Sequence, residues 1–240
     1  DCLADIIAAR MHEADKPCMI IDIGTNGEVA IGNSQRIMTA SCAAGGAYEG
    51  ATVSSGVGAI AGAISNVFIN NGDIRVETIG DQPAIGICGS GLIDLLAQLL
   101  KAGIMTKKAK LDGEFHLTDS ITLSQQDVYQ LITAKAGLRT DQDLLVEYYG
   151  LKLEQVDKLF LAGGFGNYIN VDNAIAIGLL PDVGDRVVKI GNAALAGAAD
   201  MLLSLELRRA SEVWAAKIEH TRPNEVEPEF AYLVAENMYF

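Results

Sequence analysis

The residues that most constrain this chain are Cys18-Met19-Ile20-Ile21-Asp22-Ile23, followed at once by Gly24-Thr25-Asn26-Gly27. An apolar run of this length, bounded by turn residues, reads as a buried strand. Its single charge, Asp22, is delivered to the strand's end. Asn26-Gly27 is a hairpin signal, and residues 28–32 and 35–40 supply two further strands. Residues 18–40 are therefore expected to form a three-stranded antiparallel meander. Backbone N–H groups of such a turn can converge on one point and hold a phosphate, with the Thr25 hydroxyl as a further donor. A carboxylate beside that point suits a magnesium-bound or attacking water. An ordinary Asn-Gly hairpin with Asp22 as a turn cap explains the same residues equally well.

Strands and helices alternate along the rest of the chain, which places it in the α/β class. Residues 1–14 read as a helix with Leu3, Ile6, Ile7 and Met11 on one face. The small-residue stretch 41–64 reads as a loop leading into a helix near 56–66. Residues 73–79 and 84–88 read as strands, and 89–103 as a helix. Residues 114–124 look like a strand pair. Ser124 begins a helix, with Asp127 three residues on as its capping-box partner, and a separate helix follows at 141–150. A strand ends at Ala162, a short helix runs from Asn170 to Ile177, and a strand covers 186–191. Residues 192–210 read as one long helix before a mixed αβ tail.

Three further glycine-rich segments carry chemistry. Gly163, Gly164 and Gly166 follow the apolar strand Leu159-Phe160-Leu161-Ala162. They would admit a flat ligand or phosphate close to the backbone at Gly163, Gly164 and Phe165, or serve a tight strand-to-helix crossing. This is not the dinucleotide fingerprint, because the spacing and the distal acidic residue are absent. Gly89, Ser90 and Gly91 open a helix, which makes an anion site or a packing device. Cys88 beside them has no histidine near in sequence to act as a nucleophile's partner, the histidines being His12, His116 and His220. Gly45 and Gly46 sit in a pliable loop whose Glu49 is either a contact to a metal-bound water or a solvated side chain. Lys135 is either a nucleotide contact or a surface lysine with a buried stem.

Composition excludes several classes. With 18 basic and 31 acidic residues among 240, the net charge is −13. Such a surface repels nucleic acid and anionic lipid. No segment reads as a membrane span or a signal peptide. Cys2, Cys18, Cys42 and Cys88 are widely spaced, which suits reduced thiols in the cytoplasm and no iron–sulfur cluster held by this chain alone.

The order of the motifs is more specific than any one of them. An Asp-Ile-Gly-Thr hairpin, a meander, helices and then Ala-Gly-Gly-Phe-Gly resembles a lobe of the actin-like, ribonuclease H-like ATPases. Residues 20–28, 41–51, 88–94, 134–138, 161–170, 177–181 and 191–198 together resemble the C-terminal ATPase region of the reductive activators of corrinoid proteins. The resemblance implies an α/β lobe whose mixed sheet begins with the meander and is flanked by helices. It implies residues 1–16 as the end of a first lobe and 17–240 as the second lobe with its αβ tail. The implied ligands are ATP or ADP with Mg2+, Asp22 holding the metal through water and acting catalytically with Glu49. Gly24, Thr25, Asn26, Gly45, Gly46, Gly89, Ser90, Gly91, Lys135, Gly163, Gly164 and Phe165 would contact the nucleotide. The implied reaction returns Co(II) corrinoid to Co(I), and the implied partner is a corrinoid iron–sulfur protein or a corrinoid methyltransferase subunit.

An intact member of that family carries a ferredoxin with a [2Fe–2S] cluster and a first lobe with its own phosphate loop. Neither is found here, so the chain reads as a second lobe that hydrolyses ATP poorly alone, and a homo-oligomer is compatible with it. A sugar- or acyl-kinase-like phosphotransferase lobe and a non-catalytic interaction module are the alternatives. The first lacks an identifiable substrate base near the hairpin.

Overall fold

The computed structural model describes every residue except Ala44, Gly45 and Phe165 and the side chain of Ala43. Gly45 and Phe165, both expected at the nucleotide, thus lie outside the described residues. The elements run α1 (Cys2–Ala8), β1 (Cys18–Ile23), β2 (Asn26–Gly32), β3 (Ile37–Ala43), β4 (Ala63–Asn70), β5 (Asp73–Thr78), β6 (Gly86–Ile87) and α2 (Gly89–Lys101). They continue with β7 (Phe115–His116), β8 (Thr122–Leu123), α3 (Gln125–Tyr149), β9 (Leu159–Ala162), α4 (Val171–Ala176) and β10 (Val187–Gly191). The last are α5 (Ala193–Leu203), α6 (Leu205–Ala215), β11 (Glu219–His220), α7 (Pro223–Val226) and α8 (Phe230–Glu236).

The chain divides into two compact units. Unit 1 comprises Asp1–Cys42, Thr140–Asn167 and Pro181–Phe230. Its sheet has the order β10-β9-β1-β2-β3-β11. β1 pairs antiparallel with β2 and parallel with β9, and β9 pairs parallel with β10. This central position explains the continuous apolar run of β1, all six of whose residues are buried. Cys18↔Gly32, Ile20↔Ala30 and Asp22↔Glu28 face each other across the β1–β2 ladder. Side chains directly opposite in a ladder share a face. Cys18, Ile20 and Ala30 pack with Ile6 and Met11 from the N-terminal segment and with Ala193 of α5. At the end of this row the apolar pairs give way to Asp22 and Glu28. α1 also packs against α5, and Gly197 makes that crossing close: a Cβ there would overlap the Ala4 carbonyl.

Unit 2 comprises Ala43–Arg139, Tyr168–Leu180 and Ala231–Phe240. α2 packs on β4 of the three-stranded sheet β5-β4-β6, burying Leu92, Leu95, Leu96 and Leu99. Gly91 permits the approach, since a Cβ there would overlap the Ile64 carbonyl oxygen. The capping box at α3 forms as the sequence implies. Asp127 accepts from the Ser124 N–H at 2.9 Å and hydroxyl at 2.6 Å, and the Ser124 hydroxyl oxygen accepts from the Asp127 N–H at 3.1 Å. Ser54 adds two donors at 2.7 Å. Burial would raise the Asp127 pKa, but these hydrogen bonds outweigh it and hold the carboxylate below its usual range.

Four expectations are corrected. No helix forms near 56–66: turns lead into β4, because Gly62 adopts φ +84 and the following run, rich in β-branched residues, pairs with β5 and β6. α3 is one 25-residue helix rather than two, since Gly137 sits in open space and is tolerated mid-helix. The helix expected over 192–210 is divided at Ser204, whose extended backbone and hydroxyl cap α6 by accepting from the Leu207 N–H at 3.2 Å. The N-terminal helix ends at Ala8, and Arg10 takes a left-handed conformation before a short 3-10 turn.

Candidate functional site

The C-terminal ends of the three parallel strands β1, β9 and β10 meet in unit 1 at a cleft of about 620 Å3. Ligands of open α/β sheets bind outside this end of the strands. Asp22, Gly24, Thr25, Asn26 and Glu28 line the cleft from the β1–β2 hairpin. Gly163 and Gly164 line it from the end of β9, and Asn192, Ala194, Leu195 and Ala198 from α5 and its cap. The structure therefore brings together six of the expected residues: Asp22, Gly24, Thr25, Asn26, Gly163 and Gly164.

Each edge of the cleft has a local cause. The hairpin closes through a three-residue loop, with Ile23 opposite Gly27 and the Gly24 N–H donating to the Asn26 carbonyl at 2.9 Å. The turn is thus centred one or two residues earlier than the Asn26-Gly27 pair suggests. Gly163 has φ +102 and its N–H donates to the Gly191 carbonyl at 3.0 Å. A Cβ on it would stand 2.5 Å from the Ile23 carbonyl oxygen and 2.7 Å from Asp22 Oδ1. Only glycine lets this loop lie against Asp22. Gly164 is different: nothing lies within 4 Å of its Cβ position. At the third edge Asn192 caps α5, its Oδ1 accepting from the Leu195 N–H at 2.9 Å. The amides of Ala193 and Ala194 remain outside the helix ladder, as at every helix start.

The charged side chains of the cleft are acidic. Among the described residues no lysine, arginine or histidine lines the cleft. Burial pushes Asp22 above its ordinary range. Burial, with the Asp22 carboxylate as the next cause, does the same to Glu28. Asp5 of α1 is wholly buried, and no N–H or hydroxyl among the described residues donates to either of its oxygens. The Asp22 carboxyl is its neighbour. Burial first and Asp22 second raise Asp5 to about 7. A phosphate meets backbone amides here but also the carboxyl groups that line the cleft, those of Asp1, Asp22 and Glu28. The donor set fits a nucleotide phosphate that arrives with a divalent cation, and one or two carboxylates are what magnesium takes when phosphates and water fill its other positions. Among the described residues no group of three His, Cys, Asp or Glu is disposed to hold a metal alone.

The remaining expected residues that the structure describes belong to unit 2. Glu49 is exposed at the end of a 3-10 turn between Gly46 and Gly50, both left-handed. Gly89, Ser90 and Gly91 begin α2, where the Ser90 hydroxyl donates to the Ser65 carbonyl at 3.1 Å. Lys135 is not a surface lysine. It is 2% exposed, its Nζ donates to the Tyr239 carbonyl at 2.7 Å, and it lies 4.9 Å from the centre of the Phe240 ring. Burial and then Arg139 lower it to about 8. Sequence reasoning gave no role to Glu28, Asn192 or Asp5. Glu28 and Asn192 stood in the quoted motifs, and an asparagine between a strand and a helix signals an N-cap. Asp5 carried no signal, since its meeting with Asp22 is a tertiary event.

Comparison with known proteins bears on this cleft. The family described as the C-terminal, ASKHA domain of RACo matches residues 16–240. The corrinoid activation enzyme RamQ of Eubacterium limosum is 38% identical, over 78% of this chain and 37% of that protein. The [Co(II) methylated amine-specific corrinoid protein] reductase of Methanosarcina barkeri is 30% identical, over 85% of this chain and 42% of that protein. A solved reductive activator for corrinoid, iron–sulfur protein superposes over 100% of this chain and 42% of its own, with TM-score 0.93 and 33% identity. The chain thus spans about two fifths of the length of these relatives. The mixed α/β fold and the matched sequence agree, and the chain belongs to the family of the C-terminal ASKHA domain of RACo.

Proposed function

We propose that this chain is the nucleotide-binding part of an ATP-dependent activator that returns an inactive Co(II) corrinoid protein to Co(I). The observation that carries the reading is the convergence of β1, β9 and β10 on one cleft, with Gly163 laid against Asp22 and Gly164 open beside it. The relatives' names supply a corrinoid protein as what is activated or reduced, with Co(II) named in one of them. ATP or ADP enters as its magnesium complex, the cation neutralising charge on the phosphates. Gly24, Thr25 and Asn26 face the terminal phosphates, Gly163 and Gly164 the inner phosphate or adenosine side. Asp22 positions a water. Gly46, Glu49, Gly89, Ser90, Gly91 and Lys135 belong to unit 2 and take no part in this cleft.

Phosphoryl transfer is catalysed by positioning and charge stabilisation from both sides of the γ-phosphate. The remaining length of the relatives is where a second phosphate-binding lobe and the [2Fe–2S] electron carrier belong in this reading. The four free cysteines suit a cytoplasmic setting. Calorimetry with magnesium and ADP tests the nucleotide reading: binding by the chain, and its loss in Asp22→Asn with the melting point retained, is expected. No heat at millimolar ADP would refute it. The visible spectrum of a Co(II) corrinoid protein, mixed with the native polypeptide that carries this chain, a one-electron reductant and ATP, tests the rest. An Asp22→Asn polypeptide that forms Co(I) at the parent rate would remove Asp22 from the reaction.

A further inference from the structure

β5 is an edge of the β5-β4-β6 sheet, and the hairpin that forms it fixes which of its backbone groups are free. β4 and β5 are joined by Asn71-Gly72, at φ 50 and φ 90, and Asn70 faces Asp73 across this loop. The pair flanking such a two-residue turn exchanges both of its hydrogen bonds, and the pattern alternates from there. Asp73, Arg75 and Glu77 therefore turn their backbone groups toward β4, and the Ser65 hydroxyl of β4 accordingly donates to the Glu77 carbonyl at 3.4 Å. Ile74, Val76 and Thr78 turn theirs away. Among the described residues no group hydrogen-bonds to the outward N–H and C=O of these three.

The side chains alternate as well. Arg75 faces Phe68 across the ladder, its guanidinium 5.0 Å from the centre of that ring, and bridges Glu77 on the same face at 2.6 Å. Ile74 and Val76 lie on the other face, opposite Ile69 and Val67. Both β4 residues are buried there, whereas Ile74 is 39% exposed. An edge carrying one sign of charge rejects a second copy of itself. This edge reads Asp73, Arg75, Glu77, which is complementary to its own reverse.

We propose that β5 is a self-pairing edge: two copies of the chain join antiparallel about a two-fold axis at Val76, merging their three-stranded sheets into one. Val76 then exchanges both backbone hydrogen bonds with Val76 of the second copy, and Ile74 does so with Thr78. Arg75 stands opposite Glu77 of the second copy, in the closely spaced kind of pair with Cα atoms about 4.5 Å apart. Ile74 and Val76 of both copies extend the apolar row begun by Val67 and Ile69. The neighbouring centres fail. An axis at Arg75 or Glu77 would oppose like charges and use backbone groups already turned to β4. An axis at Ile74 or Thr78 would set Val76 against Gly72 or Gly80, both left-handed turn residues. The two-fold interface is thus specified by the register of one hairpin.

The test is sedimentation velocity of the whole chain over a range of concentrations, in about 0.15 M salt to screen the repulsion between two acidic chains. A reversible monomer–dimer equilibrium is expected, with amide exchange slowing at Ile74, Val76 and Thr78 as concentration rises. Val76→Pro removes an outward N–H that β4 does not use, so it should keep the fold and weaken the dimer at least tenfold. Arg75→Glu and Glu77→Arg should each weaken it similarly, since each opposes like charges across the axis. Mixed with one another, these two variants should form a heterodimer about as tight as the parent dimer, because every charge then meets its opposite. Neither variant keeps the bridge within its own strand, so that recovery belongs to the pairing between chains. A parent that stays monomeric at every concentration would overturn the inference, as would a dimer untouched by Val76→Pro. If Val76→Pro fails to fold, the mixture decides: failure to recover association refutes this register.

Discussion

Gly163 and Gly164 are neighbours with different obligations, and substituting each separately separates fold from ligand. At Gly163 an alanine must hold φ +102, a conformation that costs a side chain about 1–3 kcal/mol. Its Cβ would also stand 2.5 Å from the Ile23 carbonyl oxygen and 2.7 Å from Asp22 Oδ1, both in a buried ladder. Relieving such overlap costs a further ~1–3 kcal/mol. The sum is about 4 kcal/mol, which lowers Tm by roughly 8–16 °C for a chain of this size. At Gly164 nothing stands within 4 Å of the Cβ position, so Gly164→Val should melt within about 3 °C of the parent. Its isopropyl group enters the cleft instead. With Mg·ADP at ten times its Kd, the parent should gain about 1.4 kcal/mol, a rise of about 3–6 °C. Gly164→Val should lose that rise entirely. Scanning fluorimetry with and without nucleotide reads both quantities. A Gly163→Ala protein that melts like the parent would refute the steric account. A Gly164→Val protein that keeps its nucleotide shift would remove this loop from the site.

Other outcomes follow from groups described above. Asp5 binds its proton more tightly folded than unfolded, so its contribution to stability falls as pH rises from about 4 to about 7. Asp5→Asn should therefore gain on the parent across that window in thermal melts and run parallel above it; a constant difference from pH 4 to 8 would contradict the raised Asp5 pKa. Lys135, lowered to about 8, binds its proton less tightly when folded, so its contribution rises from pH 8 to about 10.5. The difference in Tm between the parent and Lys135→Met should widen in favour of the parent over that range, and a flat difference would place the ammonium in water. Ile20→Ala removes a side chain packed between Ile6, Met11 and Ala30, at about 2–5 kcal/mol in urea denaturation. A loss below 1 kcal/mol would mean that face of β1 is not core.

Legibility differed by the range of the forces involved. The hairpin, the capping box and the glycine loop after β9 are written in residues a few positions apart, and turn chemistry and caps act at that range. β4 was misread because Ala, Gly and Ile suit a helix and a strand alike, and its pairing with β5 and β6 decided the matter. Lys135 was read from its own helix as half-solvated, whereas its partner carbonyl is 104 residues away. The same limit hid the Asp5–Asp22 contact: neither residue's neighbours in sequence announce it. Glu28 was printed inside the most conspicuous motif, and only the register across the ladder separates it from a solvated glutamate.

The strand order of unit 1 also sets a timetable for the emerging chain. β1 takes one neighbour from the next turn of sequence and the other from β9, beyond the whole segment 24–158. At ~5–20 residues per second, the β1–β2 hairpin waits roughly 7–26 s on the ribosome before β9 exists. During that interval one edge of Cys18–Ile23 presents unpaired N–H and C=O groups on an almost wholly apolar strand, the kind of template on which chains aggregate. Asp22 is the one charge on that edge. Before it can meet any ligand, it serves the nascent chain as a gatekeeper against pairing with the wrong strand.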